Sequence, residues 1–182
     1  MKFLNSPSSE LERLKFTRKI IGEGFYLKHG FVVTLELLRE IDPNIQVVYP
    51  RDLEYRPTPV SKYLRAWERV ENDFWAELEN YFPGVTMQHG EIEVRITRYG
   101  TVSSGATLGK HKANIVVYYL RSDVGLEHLA AMIINKIMYD ERKGLGITWS
   151  KREALMDFIM TREGMKKLFP KGRKIGPFLK QS

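Results

Sequence analysis

The sequence predicts an α+β fold in which a small antiparallel or mixed sheet packs against helices. Three observations carry this expectation. Between residues 60 and 81, Tyr63, Trp67, Val70, Phe74, Leu78 and Tyr81 recur every three or four positions, the spacing of one helical face. Between residues 91 and 99, Ile92, Val94 and Ile96 alternate with Glu93, Arg95 and Thr97, the period of a half-buried strand. Residues 113–120 hold Ile115, Val116, Val117, Tyr118 and Tyr119, apolar enough for a central strand, and lead into a second helical pattern over 124–139.

The remaining elements follow in chain order. Ser8 or Ser9 is placed to cap a helix that carries Leu11, Leu14, Ile20 and Ile21 and stops at Gly22-Glu23-Gly24. Residues 31–41 show a helical stripe with a β-branched start, so helix and strand both stay open there. Asp42-Pro43-Asn44 reads as a turn and residues 45–49 as a short strand. Arg56-Pro57-Thr58-Pro59 is a stiff connector, with Thr58 as a cap and Pro59 at the first helical position. Pro83-Gly84 ends the long aromatic helix. Residues 100–112 read as a Gly/Ser/Thr loop, Ser122-Asp123 caps the helix over 124–139, and Gly144 to Gly146 is a turn. Residues 148–160 form a helix capped by Thr148 or Ser150, with Leu155, Phe158 and Ile159 inward, and residues 165–169 close the packed region.

The chain of 182 residues fits one domain: an extension over 1–55, a core over 60–170 and a basic tail over 171–182. It contains no Cys, which excludes disulfides, thiolate zinc sites, iron–sulfur clusters and a Cys nucleophile. No apolar run is long enough to span a bilayer, and the first nine residues are too short in apolar character for a signal peptide. A location in the cytoplasm, or in a virion, is the expectation, with no membrane partner. Residues 165–182 hold Lys166, Lys167, Lys171, Arg173, Lys174 and Lys180 and no acid, so six of the net seven positive charges lie there. Such a stretch suits a nucleic acid or an acidic protein surface, or serves as a solvated end. Phe169, Ile175, Phe178 and Leu179 in the same stretch suggest that it docks against something.

Several motifs fail on inspection. Ser104 to His111 resembles a phosphate-binding loop, but Gly105 and Gly109 are one residue too close and His111 stands where Ser or Thr holds magnesium. A flexible connection is the better reading, with Lys110 and Lys112 available to a phosphate backbone. No G-x-S-x-G elbow is present. His29, His89, His111 and His128 each lack a second His three or four residues on, so no helix offers a two-His metal grip. In the helix over 124–139, Leu126, Ala130, Ile133, Ile134 and Ile137 form the core stripe, while His128, Met132 and Asn135 share the opposite ridge.

From residue 60 onward the order of parts resembles the YgjP/SprT-like metallopeptidase domain. That family has a long helix, a strand running into a T-R-W-G-S-C-S segment, a strand with N-I, and then the H-E-x-x-H helix. Here the corresponding residues are Thr97-Arg98-Tyr99-Gly100-Thr101-Val102-Ser103-Ser104, then Asn114-Ile115, then the helix over 124–139. The likeness covers about residues 60–170 and implies a zincin-like arrangement of long helix, strands and central helix. The metal motif itself departs from the family: His128-Leu129-Ala130-Ala131-Met132 has Leu129 in place of the general base and Met132 in place of the second His. Only His128 survives, with Glu153 near the third-ligand position and Asp157 one turn on. The resemblance therefore implies a scaffold that has lost its chemistry: a non-catalytic binding or assembly module with no cofactor. Two alternatives stay open. One is nucleic-acid association through the tail and Arg95, Arg98, Lys110 and Lys112; the other is a residual zinc hydrolase using His128 and Glu153.

Overall fold

The computed structural model describes residues 1–10, 12–13, 58–84, 91–98, 103–107, 115–141 and 147–172. In chain order these hold β1 (Lys2–Leu4), α1 (Val60–Glu68), α2 (Glu71–Glu79), β2 (Ile92–Thr97), β3 (Ser103–Thr107), β4 (Val116–Arg121), α3 (Leu126–Glu141), α4 (Trp149–Met160) and α5 (Glu163–Leu168). Helices and a sheet are thus mixed, as the sequence predicts. The sheet has the order β1-β2-β4-β3. Its first three strands are parallel, and β3 alone runs antiparallel, against β4. Of the two expected alternatives the wholly antiparallel sheet is therefore overturned, and the sheet is mixed. Strand β3 returns the chain from β2 to the far side of β4, so that β4 re-enters beside β2 in the same direction.

The alternation along β2 and β4 divides the sheet into two faces. Register places Phe3, Val94 and Tyr118 in one row, and Ile96 with Leu120 in another, all on one face. These side chains join Trp67, Phe74, Leu78, Ile133, Ile134 and Met156 in one apolar cluster, so the described helices from α1 to α5 bury this face. Trp67, Phe74, Leu78, Val94, Ile96, Leu120, Ile133 and Ile134 are wholly buried. A wholly buried Leu or Ile contributes about 1.5–3 kcal/mol relative to exposure, and these positions hold the fold together.

The aromatic stripe over 60–81 is not one helix. The chain tightens at Arg69 and Val70, where Val70 N–H donates to the carbonyl of Trp67, an i→i−3 bond, before α2 begins. The bend lets Trp67 and Phe74 meet edge-on, with ring centroids 5.2 Å apart. Phe169, beyond α5, reaches the same Phe74 ring at 6.0 Å. Met165 and Phe169 thus close the core as the sequence predicts. The Glu77 carboxylate sits against Gly164 in the first turn of α5, where a Cβ would make it move aside.

Several local expectations shift. The N-terminal cap is Ser6, not Ser8 or Ser9: its hydroxyl accepts from Ser9 N–H at 3.1 Å, with Pro7 at the first helical position. Pro59, not Thr58, flanks the start of α1, and Thr58 N–H instead donates to the Asn5 side chain at 3.0 Å. Helix α3 starts at Leu126, and the Asp123 carboxylate accepts from Arg121. Thr148 is the cap of α4, accepting from Lys151 N–H at 3.4 Å. Phe158 faces solvent, 48% exposed, because the inward side of α4 is Glu153, Met156, Ile159 and Met160. It lies about 200° round the helix from Met156.

Two strands escape the sequence patterns. Residues Lys2–Leu4 are short, and Ser103–Thr107 lies within the expected loop; each pairs along the edge of a longer strand, β2 or β4, whose backbone groups complete the ladder. The expected elements over 14–57, the connector at 56–57, the turn at 144–146 and the tail from 173 onward lie outside the described residues. No described helix is long and apolar enough to cross a membrane.

Candidate functional site

The ridge singled out in the sequence runs along α3 as His128, Met132 and Asn135, all partly buried, not displayed in the open. The helix is apolar nearly all round. Ala130, Ile133, Ile134 and Ile137 are buried as expected, but so are Leu129, Ala131 and Met138, while Leu126 is only partly covered. The far end of the ridge faces α4. Asn135 Nδ2 donates to Glu153 Oε1 at 3.1 Å, and Asn135 Oδ1 accepts from Arg152 Nε at 3.2 Å. Arg152 also donates to the Ile147 carbonyl at 2.9 Å and lies over the Tyr139 ring, 5.4 Å from its centroid. One amide thus bridges an acid and a base on the next helix. Glu153 is 9% exposed, and this bridge supplies a polar partner for its buried carboxylate.

His128 belongs to a different neighbourhood. It sits in the first turn of α3, seven residues before Asn135, which is about 10 Å along the axis. There it faces the β4–α3 turn. Arg121 Nε and Nη2 fork onto the two carboxylate oxygens of Asp123, at 2.5 and 2.9 Å. These hydrogen bonds hold the Asp123 carboxyl below its ordinary range, against the opposing effect of burial, and the nearby His128 acts in the same direction. Tyr63 closes the turn, its hydroxyl donating to the Ser122 carbonyl at 2.6 Å. Burial, and then the Asp123 charge, push the Tyr63 phenol up.

His128 and Glu153 are therefore pieces of two separate networks, with Asp157 half-buried one turn beyond Glu153. Among the described residues no three His, Asp or Glu side chains are grouped to hold a metal ion. The residues around His128 do not fit a zinc centre: its helical neighbours Leu129 and Met132 offer no nitrogen or carboxylate donor, and the Glu153 carboxylate accepts from Asn135.

The second sheet face carries a network that the sequence patterns miss. Register aligns Leu4, Arg95 and Tyr119 across β1, β2 and β4. Arg95 Nε donates to Glu93 Oε1 at 2.6 Å, and Arg95 Nη1 donates to the Tyr119 hydroxyl at 3.1 Å and to Glu12. Tyr119 donates to Glu12 Oε2 at 3.1 Å, and the guanidiniums of Arg13 and Arg95 lie 5.3 and 5.6 Å from its ring centroid. Burial pushes the Tyr119 phenol up, against Arg95 and with Glu12. Glu10, 2% exposed, accepts from the Arg98 backbone N–H at 2.5 Å. Arg95 is thus held inside the fold and does not present a phosphate contact, whereas the Arg98 residue is exposed. No local sequence signal pairs Glu12 with Arg95 across 83 positions.

The basic C-terminal stretch is described as far as residue 172. Lys166, Lys167 and Lys171 are exposed. Lys167 is paired with Glu163 at 2.7 Å, one turn away on α5, while Lys166 and Lys171 have no ion-pair partner among the described residues. Lys110, Lys112, Arg173 and Lys174 lie outside the described residues.

No protein-family model matches the chain, and no curated protein or solved structure matches it either.

Proposed function

We propose that the chain is a non-catalytic binding or assembly module on a scaffold that resembles the YgjP/SprT-like metallopeptidase domain. The observation that carries this reading is the use of Asn135 and Glu153. The acid nearest the third-ligand position accepts a hydrogen bond from α3 and helps tie α4 to it, a structural task. The apolar Leu129, wholly buried, stands where a general base would face a metal-bound water. The test is elemental analysis of the purified chain together with a peptide-hydrolysis assay. Zinc well below one equivalent and no hydrolysis above background are expected. Stoichiometric, tightly held zinc with turnover that His128→Ala abolishes overturns the reading and restores a metallo-hydrolase.

A second reading, association with nucleic acid through the basic C-terminal stretch, is favoured by Lys166 and Lys171, exposed and without an ion-pair partner among the described residues. Arg95 does not support it, since its guanidinium is engaged by Glu93, Glu12 and Tyr119. Oligonucleotide binding that weakens as salt is raised, and that is lost on deletion of residues 165–182, is the expected outcome.

A further inference from the structure

We infer that the outward surface of α4 and α5 is a single-stranded nucleic-acid platform, with Phe158 and Arg162 stacking on an unpaired base and Lys166 and Lys171 contacting its phosphates. The inference rests on the nucleic-acid reading and deepens it by naming the surface and the form of the ligand. Phe158 is a large apolar side chain placed 48% exposed on a helix face where packing asks for nothing apolar. It is covered on one side by the Arg162 guanidinium, 4.1 Å from the ring centroid. A phenyl ring under a planar cation is a flat, polarised layer of the kind on which bases stack, and the stack tolerates any base.

The charges continue from that layer. Arg162 caps the start of α5 in an extended conformation and Lys166 lies in its first turn, Lys166 N–H donating to the Arg162 carbonyl at 2.8 Å, so the two cations flank the same end of the helix. Lys171 follows beyond the end of α5, and Arg162, Lys166 and Lys171 are all exposed without a carboxylate partner among the described residues. Among the described residues beside it, Glu163 is paired with Lys167 and the Glu77 carboxylate lies against the start of α5, so Arg162, Lys166, Lys167 and Lys171 outnumber the acids. The surface is therefore net positive where the ring is bare. A duplex hides its base faces and an acidic peptide has none, so the ring adds affinity only for an unpaired strand.

Fluorescence anisotropy on the full chain tests this with three labelled probes: a 20-nucleotide oligo-dT, the same length as duplex, and a polyglutamate peptide. The single strand is expected to bind most tightly, and increasingly weakly as salt is raised. Phe158→Leu keeps apolar bulk without the ring and is expected to weaken single-strand binding about tenfold, while leaving the weaker duplex binding and the melting temperature unchanged. Arg162→Lys keeps charge without the planar group and gives part of the same loss. The double substitution Lys166→Glu and Lys171→Glu weakens both nucleic acids and flattens the salt dependence. Single-strand binding that Phe158→Leu leaves within twofold of the original overturns the platform while sparing the nucleic-acid reading. No oligonucleotide binding at all overturns both. Polyglutamate bound as tightly as the single strand replaces the nucleic acid with an acidic protein partner.

Discussion

The two faces of the sheet are built from the same strands and are both largely covered, yet they are held in opposite ways. On one face Phe3, Val94, Ile96, Tyr118 and Leu120 pack into the helices as a mainly apolar cluster. On the other, Glu93, Arg95, Thr97, Tyr119 and Arg121 alternate with them, and the N-terminal residues Glu10, Glu12 and Arg13 lie against that face. Burial of the first face is favourable by itself. Burial of the second is made tolerable by the pairing of Arg95 with Glu93, Glu12 and the Tyr119 hydroxyl, and of Arg121 with Asp123, while the buried Arg13 guanidinium lies over the Tyr119 ring. Position in a strand therefore decides whether a residue points to a core or to a network, and the partner from a distant segment decides whether a charged residue is available to a ligand.

This contrast predicts a ranking of effects. Leu120→Ala on the apolar face is expected to cost the most, about 2–5 kcal/mol in a urea titration, because a wholly buried side chain leaves a cavity. Arg95→Met on the polar face is expected to cost less, about 1–3 kcal/mol, by leaving Glu93 without its cation. Combining Arg95→Met with Glu93→Leu should recover much of that loss, since removing both charges removes the uncompensated one. A double variant no more stable than Arg95→Met alone would show that the face is held by packing and not by charge pairing.

The smallest effect expected is a pH dependence at Asp123. Its folded-state carboxyl is depressed, chiefly by the Arg121 fork, so its contribution is present above the ordinary carboxylate value of about 4 and fades as pH falls through the lower folded value. Asp123→Asn should therefore be less stable than the original chain near neutrality and converge with it once the pH falls below the depressed folded value. Parallel stability curves across that range would remove the fork from the account. With the Asp123 side chain 58% exposed, the difference is expected to be small.

What the sequence reveals follows the same division. The alternation in Glu93, Val94, Arg95 and Ile96 reports both faces of β2, and the apolar run at Val117 to Leu120 reports a central strand, because those patterns arise from burial alone. The parallel pairing of β1 with β2 is not legible, because three residues carry no period and the pairing is set by a strand about ninety positions away. The bend at Val70 hides inside an unbroken aromatic stripe, since Trp67 and Phe74 are seven apart whether the helix runs straight or turns. At the candidate site, the sequence singles out Asn135 and Glu153 separately and not as each other's partners, and it assigns Phe158 to the core because nothing in the helical pattern announces the Arg162 guanidinium that covers its ring.

The central claim is that Glu153 is a structural partner of Asn135 and not a metal ligand. A double-mutant cycle of Asn135→Ala and Glu153→Ala, measured by urea unfolding with and without a chelator, tests it most directly. The account predicts a coupling of about 1 kcal/mol that the chelator leaves unchanged. A coupling near zero, or a stability of the original chain that falls on chelation, contradicts it.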